Sequence, residues 1–259
     1  MLPRQLLSGP VRLLKSMWLL LILLTAGLGV PNEVNATVVR LTSLHWPPYS
    51  GQGLPSEGAS VAVAKAAFAA MGYQLEVDFY PWSRAVKLAH QSNTPYVGYF
   101  PEYYFDTVQF VFSHPMGMSP LGLLEHKNRP ISWVSVKDLR NYRLGVVQDY
   151  VNTEELDKAI ADDLQPAEKV TSDEFNIKKV AAGRIDAAVI DVYVMRYLLK
   201  QNRLQGVADK VQMNSQLLAN KNLYIAFKNT PEGLRWQAIF NEGLQRIDAA
   251  EVMANHLPE

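Results

Sequence analysis

Three rings with the strongest claim to ligand chemistry share one short stretch, Leu44-His45-Trp46-Pro47-Pro48-Tyr49-Ser50-Gly51. Two successive prolines cannot donate to a sheet ladder and hold the chain extended. Rings held on such a loop, just after a strand, suit contact with a small ligand. The plainer alternatives are that Trp46 and Tyr49 cover a sheet edge and that His45 is a satisfied loop histidine. Glu102 and Asp106, four apart, have the spacing of an acid–base pair, although a solvated loop is the simpler account of them. Asp191 closes an apolar run, where α/β folds place ligands, and its carboxylate suits an ammonium; Asp is equally a favoured helix cap. Asn152 and Thr153 stand before a predicted helix, so they either cap it or leave its free N–H groups to an anion. Trp82 and Arg84 open another helix after Pro81, as lobe-packing or surface groups on one reading and as ligand contacts on the other.

Several kinds of chemistry are missing. There is no Gly-x-Ser-x-Gly elbow, phosphate-binding Walker loop, zinc-ligand spacing or dinucleotide fingerprint. The five histidines are scattered, with no pair four apart, and there is no cysteine, which excludes disulfides, thiol chemistry and a lipid-modified cysteine anchor. No metal or cofactor is expected.

The elements that must position these residues alternate regularly. Apolar spacing predicts a strand from Val38, a helix over 60–71, a strand over 74–79, a helix over 82–90 and a strand over 96–100. An apolar segment follows at 109–113, and a further apolar crossing at 121–125. The alternation then restarts: a short helix at 136–139, strand 143–147, helix 153–162, a brief strand near Val170, helix 173–182, strand 185–190 and helix 192–199. A late strand at 222–227 precedes a helix opened by Thr230 and Pro231 and a last short helix at 249–255. Strand–helix–strand order implies right-handed crossovers and mostly parallel sheet. Two such units, with two crossings between them, imply two lobes and a cleft as the ligand site.

The first 36 residues read as a signal peptide. Arg4, Arg12 and Lys15 precede an apolar run at 17–26, too short to span a bilayer, and Val34-Asn35-Ala36 suits a signal peptidase. An uncleaved amino-terminal anchor is the other reading. The 25 basic and 25 acidic residues of the whole chain balance, and without Arg4, Arg12, Lys15 and Glu33 the acidic residues lead by two. That charge does not favour nucleic acid or an anionic membrane.

Taken in order, several short motifs carry a resemblance. They are Trp46-Pro47-Pro48-Tyr49, Pro81-Trp82-Ser83-Arg84-Ala85, Phe112-Ser113-His114-Pro115, Asp138-Leu139-Arg140, Leu144-Gly145-Val146-Val147-Gln148, and the run from Ala182 to Asp191. Across nearly all of the chain beyond the leader they resemble the periplasmic solute-binding proteins that feed polar amino acids to ABC importers, the bacterial extracellular solute-binding family 3. The resemblance implies an α/β, two-lobe type II periplasmic binding protein fold, its two mostly parallel sheets joined by a two-strand hinge. Lobe 1 would hold residues 37–120 and 226–259, and lobe 2 residues 121–225, with crossings near 121–125 and 222–227. It also implies that Tyr49 packs on the ligand and that Gly98, Tyr99 and Phe100 hold its polar groups. The helix end at Asn152 and Thr153 would receive a carboxylate, and Asp191 an amino group.

One departure changes the expected ligand. The family's carboxylate-gripping arginine falls seven residues before the serine of the Phe-Ser motif, and here that position is Asp106. Either Arg84 supplies the charge or the ligand is not an ordinary α-amino acid; a cationic or neutral solute becomes more plausible. The expected protein is a monomeric, non-enzymatic periplasmic binder of a small polar solute, with an ABC permease or a membrane sensor as partner. A dehydratase or lyase on the same scaffold, using Glu102 or Asp106 as general acid, is the alternative from another class.

Overall fold

The computed structural model describes residues 37–258, together with Met1. The signal-peptide reading of residues 1–36 lies outside the described residues.

In the first half, strand β1 (Val38–Ser43) buries Val39 and Leu41, and helix α1 (Ala59–Ala70) carries the chain over to β2 (Gln74–Phe79). The two strands run parallel, in register from Val38 opposite Gln74 to Ser43 opposite Phe79. Helix α2 (Trp82–His90) then leads to β3 (Gly98–Glu102), parallel to β1 on its other side. Strands β4 (Phe110–Phe112) and β5 (Gly117–His126) follow.

The second half repeats the alternation. It contains β6 (Leu144–Val147), α3 (Glu154–Ala161), β7 (Ala167–Val170), α4 (Asp173–Ala181), β8 (Ala187–Asp191), α5 (Val192–Leu199), the short α6 (Gln205–Ala208) and β9 (Val211–Met213). Strand β10 (Ala219–Lys228) then returns to helices α7 (Pro231–Leu244) and α8 (Ala249–Ala254), which pack on α1. Thr230 caps α7 by accepting from the Gly233 N–H at 3.2 Å, with Pro231 in the first turn. A side chain at Gly243 would meet the Ala67 carbonyl, so glycine there lets α7 lie close on α1.

One sheet path runs β2-β1-β3-β10-β5-β8-β6-β7, with β4 added on β10 and β9 on β5. Among the described residues every antiparallel pairing between these strands involves β5 or β10; the remaining strand pairs, β1 with β2 and β3 and β6 with β7 and β8, are parallel. The far end of β10 pairs with β3, its near end with β5, and the far end of β5 pairs with β8. The chain therefore passes between the halves twice, through two strands that also pair with each other. The apolar signal marked β5 only at 121–125. Its first residues, Gly117, Met118, Ser119 and Pro120, read as loop because glycine and proline are poor strand formers. Strand β9 and the helical turns at 202–208 are too short for periodicity to reveal. Leu41, Phe68 and Phe240 centre the core of the first half, and Leu123, Leu139, Leu144 and Ile177 that of the second.

Candidate functional site

The loop after β1 is held by the helix that follows it. The first N–H groups of α1 have no partner within the helix. Here Ala59 N–H donates to the Pro48 carbonyl at 2.9 Å and Ser60 N–H to the Tyr49 carbonyl at 2.8 Å. Gly58, at φ +105°, brings the chain so close to Tyr49 that any side chain there would strike its backbone. Inside the loop, Ser50 Oγ donates to the Leu44 carbonyl at 2.8 Å. Trp46 and Tyr49 are thereby fixed as a stacked pair, with centroids 4.6 Å apart and planes 21° apart. His45 sits on the exposed side of the loop. Partial burial, and then Arg203, push its pKa below the usual histidine value.

Both halves send side chains into one cleft from the carboxyl ends of their parallel strands, the position where α/β sheets bind ligands. The first half contributes Trp46 and Tyr49, Trp82 at the start of α2, and Glu102 and Tyr103 at the end of β3. The second contributes Asp149 and Tyr150 after β6, Asp173 after β7 and Asp191 after β8. Tyr49 OH donates across the cleft to Asp191 Oδ2 at 3.0 Å. Trp82 Nε1–H donates to the Asp149 carbonyl at 2.9 Å, and Ser83 Oγ donates to the Asp149 carboxylate. Trp46, Trp82, Tyr103 and Tyr150 wall a cavity of about 30 Å³ onto which Glu102 also opens. A second space of about 610 Å³ shares Trp46, Trp82 and Tyr150 and adds His45, Tyr80, Asp173, Glu174 and Arg203.

The carboxylates differ in their partners. Asp191 is 2% exposed and fully engaged: Oδ1 accepts the Val194 N–H at 2.9 Å, capping α5, while Oδ2 accepts Tyr49 OH and, at 2.5 Å, Ser119 Oγ. Burial lifts its pKa to about 6 against those bonds. Ser119 also meets Tyr103 OH at 2.5 Å, so one chain of hydrogen bonds runs Tyr103–Ser119–Asp191–Tyr49. Glu102 accepts from the Tyr103 N–H at 2.7 Å and Tyr99 OH at 3.2 Å, yet burial still pushes it up to about 8. Asp173 is 7% exposed and raised to about 7 by burial and by the like charge of Asp191. Its own backbone N–H and the Trp46 indole alongside it oppose that rise.

The remaining residues singled out in the sequence are placed as follows. Gly98, Tyr99 and Phe100 are buried within β3 and line neither of these spaces; a side chain at Gly98 would strike the Ala226 carbonyl of β10. Their successors Pro101, Glu102 and Tyr103 face the small cavity instead. Asn152 is tied to Asp157, through its N–H at 2.8 Å and its Nδ2 at 2.6 Å, and Thr153 caps α3 by accepting from Leu156 N–H at 3.3 Å. Glu154, Glu155 and Asp157 already supply negative charge to that helix end. Arg84 is exposed, its guanidinium 5.0 Å from the centre of the Tyr80 ring. Asp106 is exposed on the outer rim, accepting from Tyr104 OH at 3.1 Å. Among the described residues no group of three His, Asp or Glu could hold a metal ion, and no helix is long and apolar enough to cross a membrane.

Sequence reasoning missed Asp173, Tyr150 and Ser119. The only available signal was position: Tyr150 follows the Gly-Val-Val-Gln loop, and Asp173 opens a helix straight after a strand.

Comparison with solved structures gives the same fold at low identity. A histidine kinase sensor domain with similarity to periplasmic binding proteins matches with a TM-score of 0.70 and 19% identity, over 86% of this chain and 94% of that one. The GluR0 ligand-binding core in complex with L-glutamate matches at 0.68 and 18%, over 86% and 97%. An ancestral arginine-binding protein bound to arginine matches at 0.65 and 17%, over 85% and 96%. No protein-family model and no curated protein matches the sequence. The chain has the type II periplasmic-binding-protein fold.

Proposed function

We propose that this chain is an exported, monomeric binding protein that captures a small polar solute between two lobes and presents the closed state to a membrane partner. That partner is an ABC importer or a membrane sensor. The lobes are residues 37–120 with 226–259, and residues 121–225, and the hinge is β5 with β10. The observation that carries the reading is the Tyr49–Asp191 hydrogen bond, at 3.0 Å, between the strand ends of opposite halves. Side chains that meet across a two-strand connection are the parts of a hinge-closing clamp. The leader at 1–36 supports a place in the periplasm. Ligand recognition is assigned to Trp46, Tyr49, Trp82, Tyr103, Tyr150 and the carboxylates around them.

A thermal-melting screen of amino acids, amines and short peptides tests this. A true ligand at a hundred times its Kd adds about 2.7 kcal/mol, which raises the melting temperature by several degrees. Folded protein that responds to nothing in a broad panel overturns the reading.

One observation favours a lyase instead. Burial holds Glu102 protonated at neutral pH, and it opens onto the cavity among the rings, as a general acid requires. Turnover of a cyclic acid, abolished by Glu102→Gln, would establish that reading over the first.

A further inference from the structure

We infer that the cleft takes an organic cation without a carboxylate, an amine or guanidinium whose charge is received by Asp173 and whose carbon skeleton lies against Trp46, Trp82 and Tyr150. This rests on the binding-protein reading and names the ligand class.

Asp173 is 7% exposed and lines the 610 Å³ space. Among the described residues its carboxylate has no ion pair, and the donors beside it are its own backbone N–H and the Trp46 indole, whereas Asp191 accepts from Val194, Tyr49 and Ser119 and Glu102 from Tyr103 and Tyr99. A buried carboxylate with no cation beside it is unfavourable, so a cation arriving there gains from charge pairing in a desolvated site.

The other charged groups on this space are already used. Arg203 bonds Glu174, Nε to Oε2, at 2.6 Å, and His45 is pushed towards its neutral form. Among the described residues that line this space, no unpaired lysine or arginine stands ready for a ligand carboxylate. Arg84 lines neither space. Lys221 lines neither space; its Nζ lies 5.1 Å from the centre of the Tyr103 ring, and burial pushes its pKa below the usual lysine value against the opposing pull of Asp157 and Glu102. A carboxylate-bearing ligand in this space would instead meet Asp173. The rings complete the site: Trp82 and Tyr150 stand edge to face at 5.9 Å, and Trp46 and Tyr150 at 6.5 Å. Desolvated aromatic faces of this kind attract cations.

The test is calorimetric titration at pH 7.5 with four matched pairs: phenethylamine and phenylalanine, tyramine and tyrosine, agmatine and arginine, choline and glycine betaine. In each pair the first is a cation without the carboxylate of the second. We expect at least one cation to bind at least tenfold tighter than its partner. Asp173→Asn should weaken that binding tenfold or more while melting no lower than wild type, and Trp82→Ala should weaken it independently. The inference is overturned if no cation binds, if the carboxylate-bearing partner binds as tightly, or if Asp173→Asn leaves cation binding unchanged. An amino acid that binds when every cation fails overturns this inference and leaves the binding-protein reading standing. Silence from all eight and from the wider panel overturns both.

Discussion

Two strand ends in the second half look alike and behave differently. After β8, Asp191 enters α5; after β7, Asp173 enters α4. Both are aspartates at the junction of a parallel strand and a helix, both are buried, and both have raised pKa values from that burial. Asp191 is surrounded by donors: a helix N–H, a tyrosine from the opposite half and a serine from β5. Asp173 faces an aromatic wall and an open space. On the proposed reading, the same residue type at the same kind of junction is a closing latch in one place, and in the other a carboxylate with no cation beside it. What decides the role is the set of donors that the tertiary fold delivers.

Breaking the latch has the largest expected effect on stability. Asp191→Ala removes a helix cap, worth about 1 kcal/mol, and leaves two buried hydroxyls short of a partner, at ~1 kcal/mol or more each. Relief of the buried charge offsets part of this, so a net loss of about 2–3 kcal/mol is expected in urea unfolding at pH 7.

Asp173→Asn should do the opposite, and its effect should depend on pH. The native pKa of about 7 lies above the unfolded value of ~3.9. The folded state thus binds the proton more tightly, and the stability this group contributes is full below about pH 4 and lost as pH rises through about 7. The groups facing it are Asp191, whose charge opposes its ionisation, and Trp46, whose indole aids it. Asparagine removes the loss, so the variant should match wild type near pH 4 and exceed it by about 2 kcal/mol near pH 8, taking ~1.4 kcal/mol per pKa unit and discounting for relaxation. A flat difference across that range would mean that Asp173 is not held near neutrality.

Tyr49→Phe is the smallest cut. It keeps the stack on Trp46 and removes the hydroxyl that donates across the cleft to Asp191 and lies 3.3 Å from the Met118 carbonyl, so a loss of about 1 kcal/mol is expected. The test of the latch is scattering without ligand: the variant should have a larger radius of gyration than wild type. An unchanged radius would mean that this bond does not hold the halves together.

Much of this was legible in the sequence, for physical reasons. Alternating periodicity placed most strands and helices. The Pro-Pro loop declared itself because prolines and rings together have few other uses. Asp191 was visible because it ends a long apolar run. Asp173 was not, because aspartate in a first helical turn is ordinary and nothing local reveals that the space before it is walled by rings from the other half. Ser119 was hidden between Met118 and Pro120, in a strand whose glycine and proline mask it. Gly98, Tyr99 and Phe100 lie one step short of the cleft-facing residues Pro101, Glu102 and Tyr103. An offset of that size is set by the register of β3 on β10, which only long-range pairing fixes.

The most direct measurement is a crystal structure of the protein grown with phenethylamine. The account predicts the ammonium within hydrogen-bond distance of the Asp173 carboxylate and the ring against Trp46, Trp82 or Tyr150. Phenethylamine bound with its ammonium away from Asp173, or a cleft that stays empty at saturating concentration, would contradict it.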